Sequence, residues 1–171
     1  INNLLYRYTW GFQLSNLGTK VKYDDLGRNF YLPTQLKLGA GFLLQTDSYN
    51  EWELSIEAQK YLVPTPNEKG MPNKDVIDAL VSSFYDAPNG FCEEFHEINW
   101  VLGLEYKFNQ SFFLRSGFFY QHRNKGDRKF LSLGTGFVFS NWQIDVAYPF
   151  SFSTYNNPFH TFKIDLIYHL R

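Results

Sequence analysis

Ile98-Asn99-Trp100-Val101-Leu102-Gly103-Leu104-Glu105-Tyr106-Lys107-Phe108 is the stretch whose reading decides the fold. Ile98, Trp100, Leu102, Leu104, Tyr106 and Phe108 are all apolar or aromatic. Asn99, Val101, Gly103, Glu105 and Lys107 stand between them, with glycine and both signs of charge. Successive side chains of a strand point to opposite faces, so this segment reads as a strand with one greasy and one polar face.

The same period recurs in seven other segments. At 4–15, Leu4, Tyr6, Tyr8, Trp10, Phe12 and Leu14 alternate with Arg7, Thr9, Gly11, Gln13 and Ser15. At 36–45, Leu36, Leu38, Ala40, Phe42 and Leu44 alternate with Lys37, Gly39, Gly41 and Gln45. At 51–62 the apolar series is Trp52, Leu54, Ile56, Ala58 and Leu62, and Lys60 interrupts it near its end. Segments 112–121, 131–139, 142–148 and 161–170 continue the pattern through Leu114, Leu133, Ile144 and Leu166. Eight strands of about ten residues follow, the length that crosses a bilayer when tilted. Soluble strands usually run to about five or six residues. A soluble sheet also alternates and is the competing reading, but Trp52, Trp100, Phe108, Trp142 and Tyr168 gather at the ends of the apolar series, where membrane girdles sit.

Composition agrees. The chain has 171 residues, 16 basic and 17 acidic, for a formal net charge of −1. That balance argues against nucleic acid as a partner, since phosphate binding needs a basic excess. Charged residues are 19%, below the roughly 25% of a soluble domain, and aromatics reach 20%. Mean hydropathy is nevertheless −0.35, as two-faced strands require. The single cysteine, Cys92, excludes an internal disulfide framework and a multi-cysteine metal site. It reads as an inert loop thiol, with pairing to a cysteine upstream left open. No apolar run is long enough for a membrane helix.

Connections alternate in length. Those at 47–50, 109–111 and 140–141 are tight; those at 16–33, 64–97, 123–128 and 149–160 are longer. Outer-membrane barrels have short periplasmic turns and longer external loops, which orients the chain. The inward face carries Arg7, Lys37, Glu53, Glu57, Glu105, Lys107, Arg115, Asp145, Lys163 and Asp165, which are able to pair across strands. The expected fold is therefore all-β, a transmembrane antiparallel β-barrel with eight strands in a single domain, 1–171. The chain opens inside a strand without an initiator Met, so it is expected to be part of a longer chain with further strands before Ile1. The alternative is that segment 4–15 closes an eight-stranded barrel against 161–170.

Four segments carry a resemblance. Asn16-Leu17-Gly18-Thr19-Lys20, with Tyr31-Leu32-Pro33 and Leu36-Lys37-Leu38-Gly39-Ala40-Gly41, is the first. Lys60-Tyr61-Leu62-Val63-Pro64-Thr65-Pro66 is the second, and Asp86-Ala87-Pro88-Asn89-Gly90-Phe91 with Glu93-Glu94 the third. Lys125-Gly126-Asp127-Arg128-Lys129-Phe130-Leu131-Ser132-Leu133-Gly134 is the fourth. In this order and spacing they resemble the PorV family, outer-membrane proteins of the Bacteroidota type IX secretion system, over essentially the whole chain. The resemblance implies a FadL-like barrel of fourteen strands, of which these are the C-terminal eight. It further implies docking on the SprA (Sov) translocon, binding of the C-terminal signal domain of secreted cargo, and delivery to the surface attachment complex. Outer-membrane lipid and lipopolysaccharide would surround the barrel. A FadL-type transporter of hydrophobic small molecules is the alternative function.

Candidate contact residues lie in the long loops. Loop 64–97 contains a helical pattern after Asn73, a suitable N-cap, with Asp75 in the first turn and Val76, Ile77, Leu80, Val81 and Phe84 on one face. That face either packs as a lid over the barrel mouth, or the loop presents Phe84, Tyr85 and Phe91 to translocon or cargo. Loop 149–160 is aromatic and uncharged around Phe152 and Tyr155, which serve either as interface or as outer girdle. No catalytic group is assigned: Ser153 and His160 share a loop, which carries little information. His96, His122, His160 and His169 lack ligand spacing, and Asp24, Asp25 and Asp127 precede no calcium-loop motif. Neither a metal nor a cofactor is expected, and the chain is not expected to be an enzyme.

Overall fold

The structure, a computed structural model, describes residues 4–22, 29–65, 74–88, 90–152 and 161–170. Ten strands occur among them: β1 (Leu5–Ser15), β2 (Val21–Lys22), β3 (Asn29–Phe30), β4 (Gln35–Gln45), β5 (Asn50–Tyr61), β6 (Asn99–Phe108), β7 (Phe112–Tyr120), β8 (Lys129–Phe139), β9 (Trp142–Ser151) and β10 (Lys163–Tyr168). Two helices, α1 (Val76–Ser82) and α2 (Phe91–His96), lie between β5 and β6. The eight long strands are those read from the alternation. The β2–β3 hairpin, α2 and a 3-10 turn at Arg123–Lys125 were not anticipated.

The long strands form one antiparallel sheet in the order β1-β4-β5-β6-β7-β8-β9-β10. Its register unites the sequence alternation into two continuous faces. Tyr106 lies between Trp52 and Leu114, Leu102 between Ile56 and Phe118, and Trp100 between Ala58 and Tyr120. Every apolar series thus falls on the same side. A one-residue slip would send Glu53 and Glu105 to that side, so the register is strongly specified.

The apolar side is ordered in rows. At the end with the tight turns, Trp52 packs on Tyr106 with centroids 4.6 Å apart, and Trp142 on Tyr168 at 4.8 Å. At the opposite end Tyr148 packs on Phe150 and on Phe162, both at 4.8 Å. Between lie aliphatic residues such as Leu54, Ile56, Leu102 and Leu104, each about half exposed. Trp52 and Ala58, the partner of Trp100, are six residues apart, so the two aromatic rows stand about 20 Å apart along the strands. The apolar band of an outer-membrane barrel is about 25 Å tall.

The opposite face is polar and internally paired. Lys107 contacts Glu51 at 2.7 Å and Glu105 at 3.4 Å, while Arg115 bridges Glu105 and Asp145. The expectation that inward charges neutralise one another across strands holds for this ladder. Beside it, Thr9, Gly41, Ser55, Gly103 and Gly117 fall on one cross-strand row. They leave a trough of about 580 Å³ whose borders include Lys37, Glu53 and Glu57.

The turns obey local chemistry. Asn109 and Gln110 both take positive φ, 51° and 52°, at the centre of the tight turn that the Ser111 N–H closes on the Phe108 carbonyl at 3.0 Å. Asp47 accepts from the backbone N–H groups of Tyr49 and Asn50 at 2.8 and 2.9 Å, which closes the β4–β5 turn.

The sheet is open. β1 and β10 are its two edges and are not paired with each other. The eight strands therefore form a partial barrel wall, and closure of this chain by 4–15 against 161–170 is not observed. Both faces of β1 are exposed, with Trp10 at 84%.

Leu102→Arg is expected to cost about 2–4 kcal/mol, the penalty for a cation near a bilayer midplane. Reversible urea unfolding in liposomes measures it. Gly103→Arg is expected to fail differently, because even a Cβ at Gly103 would lie 2.5 Å from the Ser55 hydroxyl on the polar face.

Candidate functional site: the helical loop docked on the sheet

Lys60 stands on the apolar face, between Leu36 of β4 and the start of β6, yet is only 8% exposed. A lone ammonium on such a surface is costly, and burial demands a partner. α2 supplies it. Lys60 Nζ donates to Glu94 Oε2 at 2.8 Å and to Glu97 Oε2 at 2.6 Å. The other Glu94 oxygen accepts from the Ala87 N–H at 2.8 Å, which fixes the approach to the helix. Lys125, in the β7–β8 connection, bonds Glu93 and Glu97 at 2.9 Å each. One lysine from the sheet, one from the β7–β8 connection and three glutamates on one helical segment thus clamp α2 against the wall.

Further bonds tie the loop together. Thr65 donates through N–H and hydroxyl to Asp86, at 3.1 and 3.0 Å. The Tyr31 hydroxyl donates to the Lys74 carbonyl and accepts from its N–H, both at 2.8 Å, linking loop 16–33 to loop 64–97. His96 stacks on His122 with ring centroids 3.7 Å apart and planes 2° from parallel.

This geometry corrects the expectation for the first helix. α1 begins at Val76, with Asp75 in the N-cap position and extended (φ −64°, ψ 157°); Asn73 lies outside the described residues. Asp75 makes no capping bond through its side chain. On the apolar face Val76 and Leu80 are half-buried. Ala79, Ser82 and Ser83 are buried, whereas Ile77 is 74% exposed, with Val81 and Phe84 about half exposed.

The expected contact residues are distributed as follows. Phe84 follows α1 and faces α2 across a groove; Phe91 opens α2 and is 84% exposed. Gly90 precedes it with φ 72°, a left-handed conformation that suits glycine. Tyr85 is 70% exposed and lies beside Asp75, Asp78 and Val81. Phe152 is 64% exposed, and its N–H bonds the Lys129 carbonyl at 2.9 Å, three strands away from β6. It does not join the loop cluster. Tyr155 lies outside the described residues, as do Ser153, His160, Asp24 and Asp25. Cys92 is exposed on α2 with a free thiol. Among the described residues no cluster of metal-ligating groups occurs.

Between α2 and the sheet runs a groove of about 200 Å³. Leu36, Leu38, Ala58 and Ile98 line it from the sheet, Phe91 and Phe95 from the helix. Phe95 also packs on Trp100, centroids 6.0 Å apart. The ion-pair network and this groove were missed from sequence. Lys60, recognised only as an interruption, was the available signal: a cation on an apolar face implies a carboxylate that comes to it.

A sheet with one apolar face between aromatic rows and one ion-paired face defines the class, part of a β-barrel. Residues 1–68 match the family model of PorV, type IX secretion system protein. The match supports the resemblance read from the sequence, and the matched family is one of type IX secretion. It spans β1 to β5 and ends in the loop before α1. No curated protein matches the chain.

Glu97 is half-withdrawn from water. Burial pushes its carboxyl up, but the hydrogen bonds and positive charge of Lys60 and Lys125 outweigh it and hold the group below the ordinary 4.5. For His122, desolvation and then the neighbouring His96 hold the ring below the ordinary 6.5. Glu97 therefore stabilises the docked loop above its unfolded value, a contribution that fades as pH falls through the folded one, while protonation of His122 opposes docking as pH falls. Hydrogen exchange of segment 91–97 is expected to accelerate between pH 7 and pH 4 relative to β6, after correction for intrinsic rates. Lys60→Ala is expected to release α2 at neutral pH, since removing one partner of a buried pair costs about 3–5 kcal/mol.

Proposed function

We propose that the chain is a wall segment of an outer-membrane barrel that serves type IX secretion by protein contact. It docks on the SprA (Sov) translocon, binds the C-terminal signal domain of cargo and passes it to the surface attachment complex. The observation that carries this reading is the helical loop, whose α2 is clamped by five charged groups and which turns Ile77, Val81, Phe84, Tyr85 and Phe91 outward. Ordered, exposed aromatic groups are the usual carriers of interface energy, because little side-chain freedom remains to be lost on binding. The ion pairs of the polar face, Lys107 with Glu51 and Arg115 with Glu105 and Asp145, argue against a conduit for hydrophobic molecules. The reading assigns no catalytic step to the chain. The open edges at β1 and β10 call for strands beyond these eight, since an unmet backbone group in a bilayer costs several kcal/mol.

Changing Phe84, Phe91, Phe152 and Tyr155 together to Ser is expected to leave barrel assembly intact, judged by heat-modifiable gel migration, and to lower cargo secretion. Normal secretion with full cargo co-purification would show that these loops are not the contact surface.

A further inference from the structure

We infer that the groove under α2 holds the hydrocarbon chain of a membrane lipid against the outer wall of the sheet. Its floor, Leu36, Leu38, Ala58 and Ile98, belongs to the apolar face. Two residues further along their strands Leu38, Ala58 and Ile98 are followed on the same face by Ala40, Ile56 and Trp100, and then by Leu102 on β6, so the floor is continuous with the apolar band. Ala58 is the small residue of its row, set between Leu38 and Trp100, and the recess exists because its side chain stops at Cβ. Phe91 and Phe95 form the outer lip.

The chemistry of the lining selects the occupant. The ionic groups at the groove, Lys60 and Glu94, are committed to each other, and Glu94 also accepts from Ala87. They offer an incoming group little reason to bring polarity with it. Apolar cavities of about 150 Å³ stay dry and take up hydrocarbon ligands, so a groove of about 200 Å³ is large enough for part of an acyl chain. A lipid reaches it laterally from the band without crossing water. The clamp then acquires a second role: it holds two aromatic rings over a lipid chain at the end of the sheet that bears the long loops.

The inference rests on the apolar face meeting lipid, and the experiment separates the two. The full-length protein is placed in phosphatidylcholine liposomes doped with a phosphatidylcholine carrying a diazirine in its acyl chain, irradiated, and its adducts mapped by peptide mass spectrometry. Adducts are expected on segment 91–96 as well as on the β6 peptide containing Leu102. Ala58→Phe, which fills the recess, is expected to reduce labelling of 91–96 several-fold and leave Leu102 labelling unchanged. Heat-modifiable migration confirms that the variant folds, and Ala58→Ile provides a milder filling with an intermediate effect. Labelling at Leu102 with none at 91–96 overturns the groove assignment, as does labelling of 91–96 that ignores Ala58→Phe. Photo-crosslinking from a diazirine residue at Leu38 that yields a protein adduct instead of lipid, in intact outer membranes, overturns it in favour of a protein side chain. No labelling at Leu102 removes the membrane reading and the inference with it.

Discussion

The unbroken antiparallel register is the constraint on which the rest of the molecule depends. From β4 through β9 each strand meets its neighbour over nine or more consecutive pairs, so a side chain's face is decided by parity alone. Parity collects Trp52, Tyr106, Trp142 and Tyr168 into an aromatic row and sends Glu51, Glu105, Lys107, Arg115 and Asp145 to the other side. There the charges lie within reach of one another and pair. The same hydrogen bonds therefore segregate the apolar groups and bring the ionic ones together.

Lys60 is the exception to parity, and the loop is built around it. An ammonium placed on the apolar face could extend toward water at the sheet's end, as long cationic side chains often do. Here it is covered instead, and Glu94 and Glu97 come to it on α2. Lys125 extends the network to the next connection and balances part of the acidic excess. A buried pair of this kind contributes little net stability against an apolar alternative, but breaking it is expensive. Its value is positional. It pins a six-residue helix, too short to be stable alone, against the wall. The groove and the outward-facing aromatic groups exist because the helix is held there.

The helix pattern left two readings open, a packed stripe or an outward-facing one. Val76, Ile77, Leu80, Val81 and Phe84 have the spacing of a core-facing stripe, and in a soluble domain that stripe would be buried. The structure buries Ala79, Ser82 and Ser83 and leaves Ile77, Val81 and Phe84 largely uncovered. Val76 and Leu80 of the same stripe are half-buried, so the helix is covered on the side of its small residues and only partly on the side of its large ones.

The sequence by itself determined the eight strands, their two faces and the alternation of tight and long connections. Each is a local property: a period of two, an aromatic at a strand end, Asn109-Gln110 or Ser140-Asn141 at a bend. The resemblance to PorV was legible for the same reason, as ordered motifs along the chain. Only the tertiary structure decided which carboxylates Lys60 meets, since Glu94 and Glu97 lie 34 and 37 residues away through a loop whose path no local pattern dictates. It also decided that Phe84 faces Phe91 across a recess opened by Ala58, while Phe152 stands apart. The physical reason is one of range. Backbone hydrogen bonding and side-chain parity act between neighbours in sequence or in register, whereas the loop settles where a displaced charge finds its partners.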